Sequence, residues 1–222
     1  MFNICQFPHK HLIQPPSLVT LISTVTNVLG DGNCGFRSAA VGLGRDSNAW
    51  PEIRLKMIQE IESANFMCKK RDFIKHVWHF LFDQLQESLG HLSGPAQTKY
   101  WMHFPMHGYI LADTYQRPVL LFSKSVNCTY LPLSYPPTDN PPLCFIMIQE
   151  LCHLISFKFK DNLWAAPTVD PSWKWYANKE ALSWKTKIKL NLDHGRLALA
   201  PPPTRRSTRN RGVIVVEGAD EE

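Results

Sequence analysis

The sequence predicts an α+β fold, a small and mostly antiparallel sheet packed by helices. Two patterns predict it. Apolar residues recur at helical spacing through the first half of the chain, and continuous or alternating apolar runs bounded by turn residues fill the second half. Helices first and strands later are the order expected of helices packed on an antiparallel or mixed sheet.

Residues 1–17 carry Pro8, Pro15 and Pro16 and read as an irregular lead-in. Leu18 to Val28 is rich in β-branched residues and predicts a short extended segment. A first helix is expected over Phe36–Leu43, where Ala39 and Ala40 are strong formers and Gly42 and Gly44 bracket the end. A second helix is expected from Asn48 to Ser63, with Asn48 as cap, Pro51 in the first turn, and Ile53, Met57, Ile58 and Ile61 on one apolar face. A third is expected from Asp72 to Leu89, where Phe73, Val77, Phe80, Leu81, Leu85 and Leu89 follow the helical period and Gly90 stops it. A fourth spans Met106–Thr114.

Strands are then expected at Pro118–Ser123, Leu143–Gln149 and Cys152–Lys160. A loop holding Pro132, Pro136, Pro137, Pro141 and Pro142 separates the first two, and Ile155, Phe157 and Phe159 alternate with Ser156, Lys158 and Lys160 in the last. A C-terminal extension is expected over 166–200, with a last helix at Trp173–Leu192. Residues 201–222 read as a disordered tail, basic at Arg205, Arg206, Arg209 and Arg211 and then acidic.

The chain has 222 residues, 44% of them hydrophobic, enough for one well-cored domain with tails. Its net charge of +5 favours an acidic partner surface without indicating nucleic-acid binding. No apolar run is long enough to span a membrane, and the first residues lack the apolar core of a signal peptide. Six cysteines occur with no C-x-x-C pair, so a reduced cytoplasmic or nuclear setting is the simpler expectation. Nothing resembles a P-loop, a dinucleotide fingerprint or a metal-ligand cluster, so no cofactor and no metal is expected.

The chemistry concentrates at Gly30-Asp31-Gly32-Asn33-Cys34-Gly35-Phe36-Arg37. A cysteine that follows a glycine turn and opens a helix meets unpaired backbone N–H groups and the positive end of the helix dipole, both of which are expected to lower its pKa and favour attack on a carbonyl. Cysteine hydrolysis also needs a base, a group that orients the base, and donors for the oxyanion. Gly32 suits the turn because a side chain there would block close approach or a positive φ.

This motif resembles the nucleophile motif of the ovarian tumour (OTU) family of cysteine peptidases, whose members typically remove ubiquitin from proteins. The family pattern is Gly or Pro, then Asp-Gly-Asn-Cys, a variable residue, an aromatic residue and Arg or Lys. Gly30, Asp31, Gly32, Asn33, Cys34, Phe36 and Arg37 match it. The resemblance continues through Trp50-Pro51-Glu52-Ile53-Arg54, Tyr100-Trp101-Met102 and Tyr115-Gln116-Arg117-Pro118-Val119 to the strand around His153, which places the OTU-like domain over 18–165, and its detail is that of the OTU domains common in fungal genomes.

The resemblance implies a papain-like OTU-type domain with Cys34 as nucleophile and His153 as base. It also implies an oxyanion site made by the backbone N–H groups of Gly32, Asn33 and Cys34. Many family members place Asn or Asp two residues after the histidine, where this chain has Ile155. Asp31 is the substitute in the motif, with two open roles: orienting the base, or capping the N–H groups of the turn. The implied partner is ubiquitin or a ubiquitin-like modifier, whose narrow tail would lie in a groove walled by some of Trp101, Phe104, Tyr109 and Trp164.

Three functions follow. The first is a deubiquitinase-type cysteine hydrolase. The second is an OTU-like module that binds ubiquitin without cleaving it, favoured by the missing Asn or Asp after His153. The third is a mobile-element-derived, nucleic-acid-associated protein that uses the basic tail.

Overall fold

The computed structural model describes residues 2–63, 79–162 and 164–200. Its strands are β1 (Phe2–Asn3), β2 (Ile22–Thr26), β3 (Val119–Phe122), β4 (Cys128–Tyr130), β5 (Leu143–Ile148) and β6 (His153–Phe159). They form one sheet in the order β1-β2-β6-β5-β3-β4. β3 and β5 run parallel, and every other neighbouring pair is antiparallel. The three apolar runs expected to be strands become β3, β5 and β6, in the sheet's interior. The edge strands β1 and β4 are too short to leave a pattern in the sequence.

Side chains alternate across the sheet, and both faces are buried. Val119 and Leu121 of β3, Leu143 and Phe145 of β5 and Leu154 of β6 point into one core. That core is closed by the helices α2 (Cys34–Gly42), α3 (Trp50–Glu62), α4 (described over His79–Leu89) and α5 (Met106–Tyr115), which follow a single short turn, α1 (Leu18–Leu21). The first part of the expected third helix, with Phe73 and Val77, lies outside the described residues, while Leu85 and Leu89 are buried as its period requires.

Leu120, Phe122, Cys144, Ile146, Ile148, Ile155 and Phe157 point the other way, into a second core. Its cover comes from the N-terminal segment, which contributes Ile4, Phe7 and Ile13 as well as β1.

The last helix expected at Trp173–Leu192 is instead three short ones: α6 (Trp173–Tyr176), α7 (Trp184–Lys187) and α8 (Lys189–Ala198). Tertiary anchors break the run. The Trp173 and Trp184 indoles donate to the Pro132 and Tyr135 carbonyls at 3.0 and 2.9 Å. Between them, Asn178 donates to the Ser134 carbonyl at 2.7 Å and accepts from the Ala181 N–H at 2.7 Å.

α2 lies between β6 and α3, and Gly35, Phe36, Arg37, Ser38, Ala39 and Ala40 are all buried. Gly35 is required there, since a Cβ would sit 2.6 Å from Met102 Cβ and 3.1 Å from Leu154 Cδ1.

Candidate active site

Two chain segments meet at one end of the sheet. β2 and β6 pair antiparallel with Thr26 opposite Ser156, so the loop that leaves β2 toward α2 runs past the start of β6. Cys34 opens α2, and His153 opens β6. The Cys34 sulfur meets the backbone amide of Leu154, the residue after His153. The His153 ring lies along the same loop, with Nδ1 3.7 Å from where a Cβ on Gly30 would be. The structure therefore brings Cys34 and His153 to one place, although the sulfur's hydrogen-bond partners are backbone amides rather than the imidazole.

His153 Nε2 lies 2.8 Å from Oδ1 of Asn27, a residue the sequence reading passed over. With that oxygen facing the ring, Nε2 donates to it, and the Val28 backbone also bonds the imidazole. Asn27 supplies what positions 154 and 155 lack, an amide acceptor on the second imidazole nitrogen. It comes from the residue that follows the neighbouring strand β2 rather than from the histidine's own strand. Its signal in the sequence was its place, near the end of the extended segment expected over Leu18–Val28 and a few residues before the nucleophile turn.

Asp31 is engaged elsewhere. Its carboxylate takes the Arg37 guanidinium in a fork, with Nη2 at 2.7 Å and Nε at 3.1 and 3.2 Å, and accepts from the Asn33 N–H at 3.0 Å. Burial alone would raise its pKa, but Arg37 and the Asn33 groups outweigh that and hold it below the ordinary 3.8. Of the two roles left open, the observed contacts are those of the turn cap.

The same contact changes the oxyanion expectation. Because the Asn33 N–H is committed to Asp31, it is not free for a substrate oxygen, whereas the N–H groups of Cys34 and Gly35, in the first turn of α2, face the sulfur. Gly32 has φ +81°, and a Cβ there would overlap the Ala96 carbonyl oxygen and come within 2.7 Å of Trp101 Nε1. Its place in the turn is thus set by a close approach from residues 94–101, which also reach the turn through Ala96 N–H to Asp31 O (2.7 Å) and Asn33 Nδ2 to Gly94 O (3.1 Å).

The expected lowering of the Cys34 pKa is not what the environment produces. Burial pushes the thiol above its ordinary 9.0, and the nearby Asp31 charge adds to this; the Leu154 and Gly35 amides oppose it but do not prevail. Burial likewise holds His153 below its ordinary 6.5, against the Val28 backbone and with His9 adding to the depression. At neutral pH the resting pair is thiol and neutral imidazole.

Of the four aromatic residues considered as groove walls, only Trp101 adjoins the turn. Phe104 packs on Tyr130 and Phe145, and Tyr109 is buried against Tyr130. Trp164 lines a separate cleft of about 530 Å³ with Gly42, at the opposite end of α2 from Cys34. Phe104 and Tyr109 are thus core residues, the ordinary fate of large aromatics.

No described helix is long and apolar enough to cross a membrane. No family model matches the chain and no curated protein matches it. Among solved structures the chain is similar to the viral OTU domain protease from Dera Ghazi Khan virus, at 15% identity and a TM-score of 0.41, over 62% of this chain and 81% of that one.

Proposed function

We propose that this chain is a cysteine-dependent hydrolase that cleaves the peptide or isopeptide bond after the C-terminus of ubiquitin or a ubiquitin-like modifier, with Cys34 as nucleophile, His153 as base and Asn27 as the residue that orients the base. The observation that carries the reading is the 2.8 Å contact of His153 Nε2 with Asn27, beside a cysteine that opens a buried helix. The choice of modifier rests on the resemblance of residues 30–37 to the OTU motif.

In the proposed mechanism, Cys34 Sγ attacks the carbonyl carbon and passes its proton to His153 Nδ1, while Asn27 Oδ1 holds the ring and stabilises the imidazolium. The oxyanion develops against the N–H groups of Cys34 and Gly35. Collapse expels the amine, which takes the proton from His153, and leaves a thioester. Water, deprotonated by His153, then attacks the thioester, and the sulfur leaves with the proton.

One observation favours the second reading, a module that binds ubiquitin without cutting it. The Cys34 thiol is raised by burial and bonded to backbone amides rather than to His153. The nucleic-acid reading concerns Arg205 to Arg211, outside the described residues.

Incubation with ubiquitin bearing a C-terminal thiol-reactive group, followed by intact mass, separates the first two. A one-ubiquitin adduct on the native protein that is lost in Cys34→Ala and His153→Ala is the expected result. A folded native protein that binds ubiquitin but forms no adduct belongs to the binding module.

A further inference from the structure

Arg54, on α3, is fully buried, yet its acceptors among the described residues are neutral oxygens. One Nη2 donates to Asn33 Oδ1 and to the Tyr100 carbonyl, both at 2.9 Å, and Nη1 donates to the Ser88 carbonyl at the end of α4. The guanidinium also lies over the Phe36 ring, 3.7 Å from its centroid, and 5.4 Å from that of Trp50. Burial pulls its pKa from 12.5 to about 9, which leaves it charged at neutral pH. Among the described residues no carboxylate contacts it and the Asp31 charge only partly offsets its desolvation, a costly state for a buried cation, and at such sites an apolar side chain of similar volume is often as stable or more so.

What an apolar side chain would lose is the clamp on Asn33. That residue is itself fully buried, stands at the N-terminal boundary of α2 with no side-chain capping bond, and immediately precedes Cys34. Arg54 holds the oxygen end of its amide, and the Gly94 carbonyl holds the nitrogen end. Through Tyr100 the same guanidinium fixes the segment whose next residue, Trp101, lies over Gly32.

We infer that Arg54 is a positioning residue: acting through Asn33, it fixes the first turn of α2 and so the place of the Cys34 sulfur. Its role in turnover rests on the hydrolase reading above; its effect on Cys34 does not. Lys cannot substitute, because a single ammonium lacks the planar fork that reaches three segments at once.

The test is the pH profile of Cys34 alkylation by iodoacetamide, read on the Cys34 peptide by mass spectrometry below the melting temperature of each variant. Arg54→Met, Arg54→Lys and Asn33→Ala are compared with Met57→Ala, a buried neighbour on α3 outside the clamp. The expected result is a midpoint moved by at least about half a pH unit, about threefold in rate at fixed pH, in the same direction in Arg54→Met and Asn33→Ala, with Met57→Ala at the native midpoint. Unmoved midpoints, or an equal shift in Met57→Ala, overturn the inference. Should Arg54→Met not fold, Asn33→Ala and Arg54→Lys decide it on the same criterion. Capture by the ubiquitin probe, run in parallel, is expected to slow at least about tenfold in Arg54→Met. If the native protein is not captured while the midpoint shifts, the hydrolase reading fails and the clamp stands; capture with no midpoint shift fails the clamp alone.

Discussion

His153 has two nitrogens with different tasks, and the whole proposal turns on keeping them apart. Asn27 Oδ1 at 2.8 Å keeps the proton on Nε2, so Nδ1 is the atom able to take one from Cys34. Removing that oxygen in Asn27→Ala should slow turnover of a fluorogenic ubiquitin substrate by about 10²-fold with little change in melting temperature, because Asn27 is exposed and its loss leaves no cavity. Activity at the native level in that variant would remove Asn27 from the mechanism.

The directions of the two pKa values set the pH dependence. A base must be unprotonated, and the His153 pKa is depressed below 6.5, so kcat/KM should rise with pH along a limb centred below 6.5. The thiol is raised above 9.0, so the rate should hold level to beyond that value. An acid limb centred above 6.5 would mean that burial does not govern the histidine, and an alkaline fall well below 9.0, as an imidazolium loses its proton, would mean that the resting pair is ionised.

At the scale of elements, the turn and the loop over it act as one unit. Gly32 is held at positive φ with the Ala96 carbonyl and the Trp101 indole against its Cα, and Asp31 and Asn33 each bond to the same loop. Gly32→Ala adds a strained backbone to a steric overlap, and should cost more than about 1 kcal/mol in denaturant unfolding as well as abolishing probe capture. A variant as stable and active as the native protein would show that the loop is not seated on the turn. The glycine's need for conformational freedom was legible from the motif. The loop that makes it obligatory was not, because residues 94–101 carry no periodic pattern and reach the turn through backbone atoms and a single indole.

At the scale of the molecule, the sheet is buried on both faces, and one cover comes from the chain's first residues. Phe7 is 2% exposed in a core with Phe122, Ile146 and Phe157. Phe7→Ala should destabilise the protein by about 3–5 kcal/mol, the usual range for a buried phenylalanine. Urea unfolding measures it, and a loss under about 1 kcal/mol would mean that the N-terminal segment is dispensable to the fold. Its three prolines made this segment read as an irregular lead-in, because proline reports local backbone restriction and says nothing of what the neighbouring apolar residues cover.

The sequence by itself determined the long interior strands and, among the described residues, the helices from Cys34 to Tyr115, and it offered Cys34 as a candidate nucleophile. Each of these is written locally, as a period, a cap or a motif in consecutive residues. The tertiary structure alone decided which group faces His153 Nε2, what Asp31 and Arg54 hold, and whether Cys34 is acidic. Those depend on residues far apart in sequence: Asn27 meets the start of β6 only after β2 and β6 pair, and Arg54 meets Asn33 only after α3 packs on α2. The Cys34 pKa is the clearest case, because the helix end visible in the sequence favours the thiolate, while the burial that outweighs it exists only once the chain has folded.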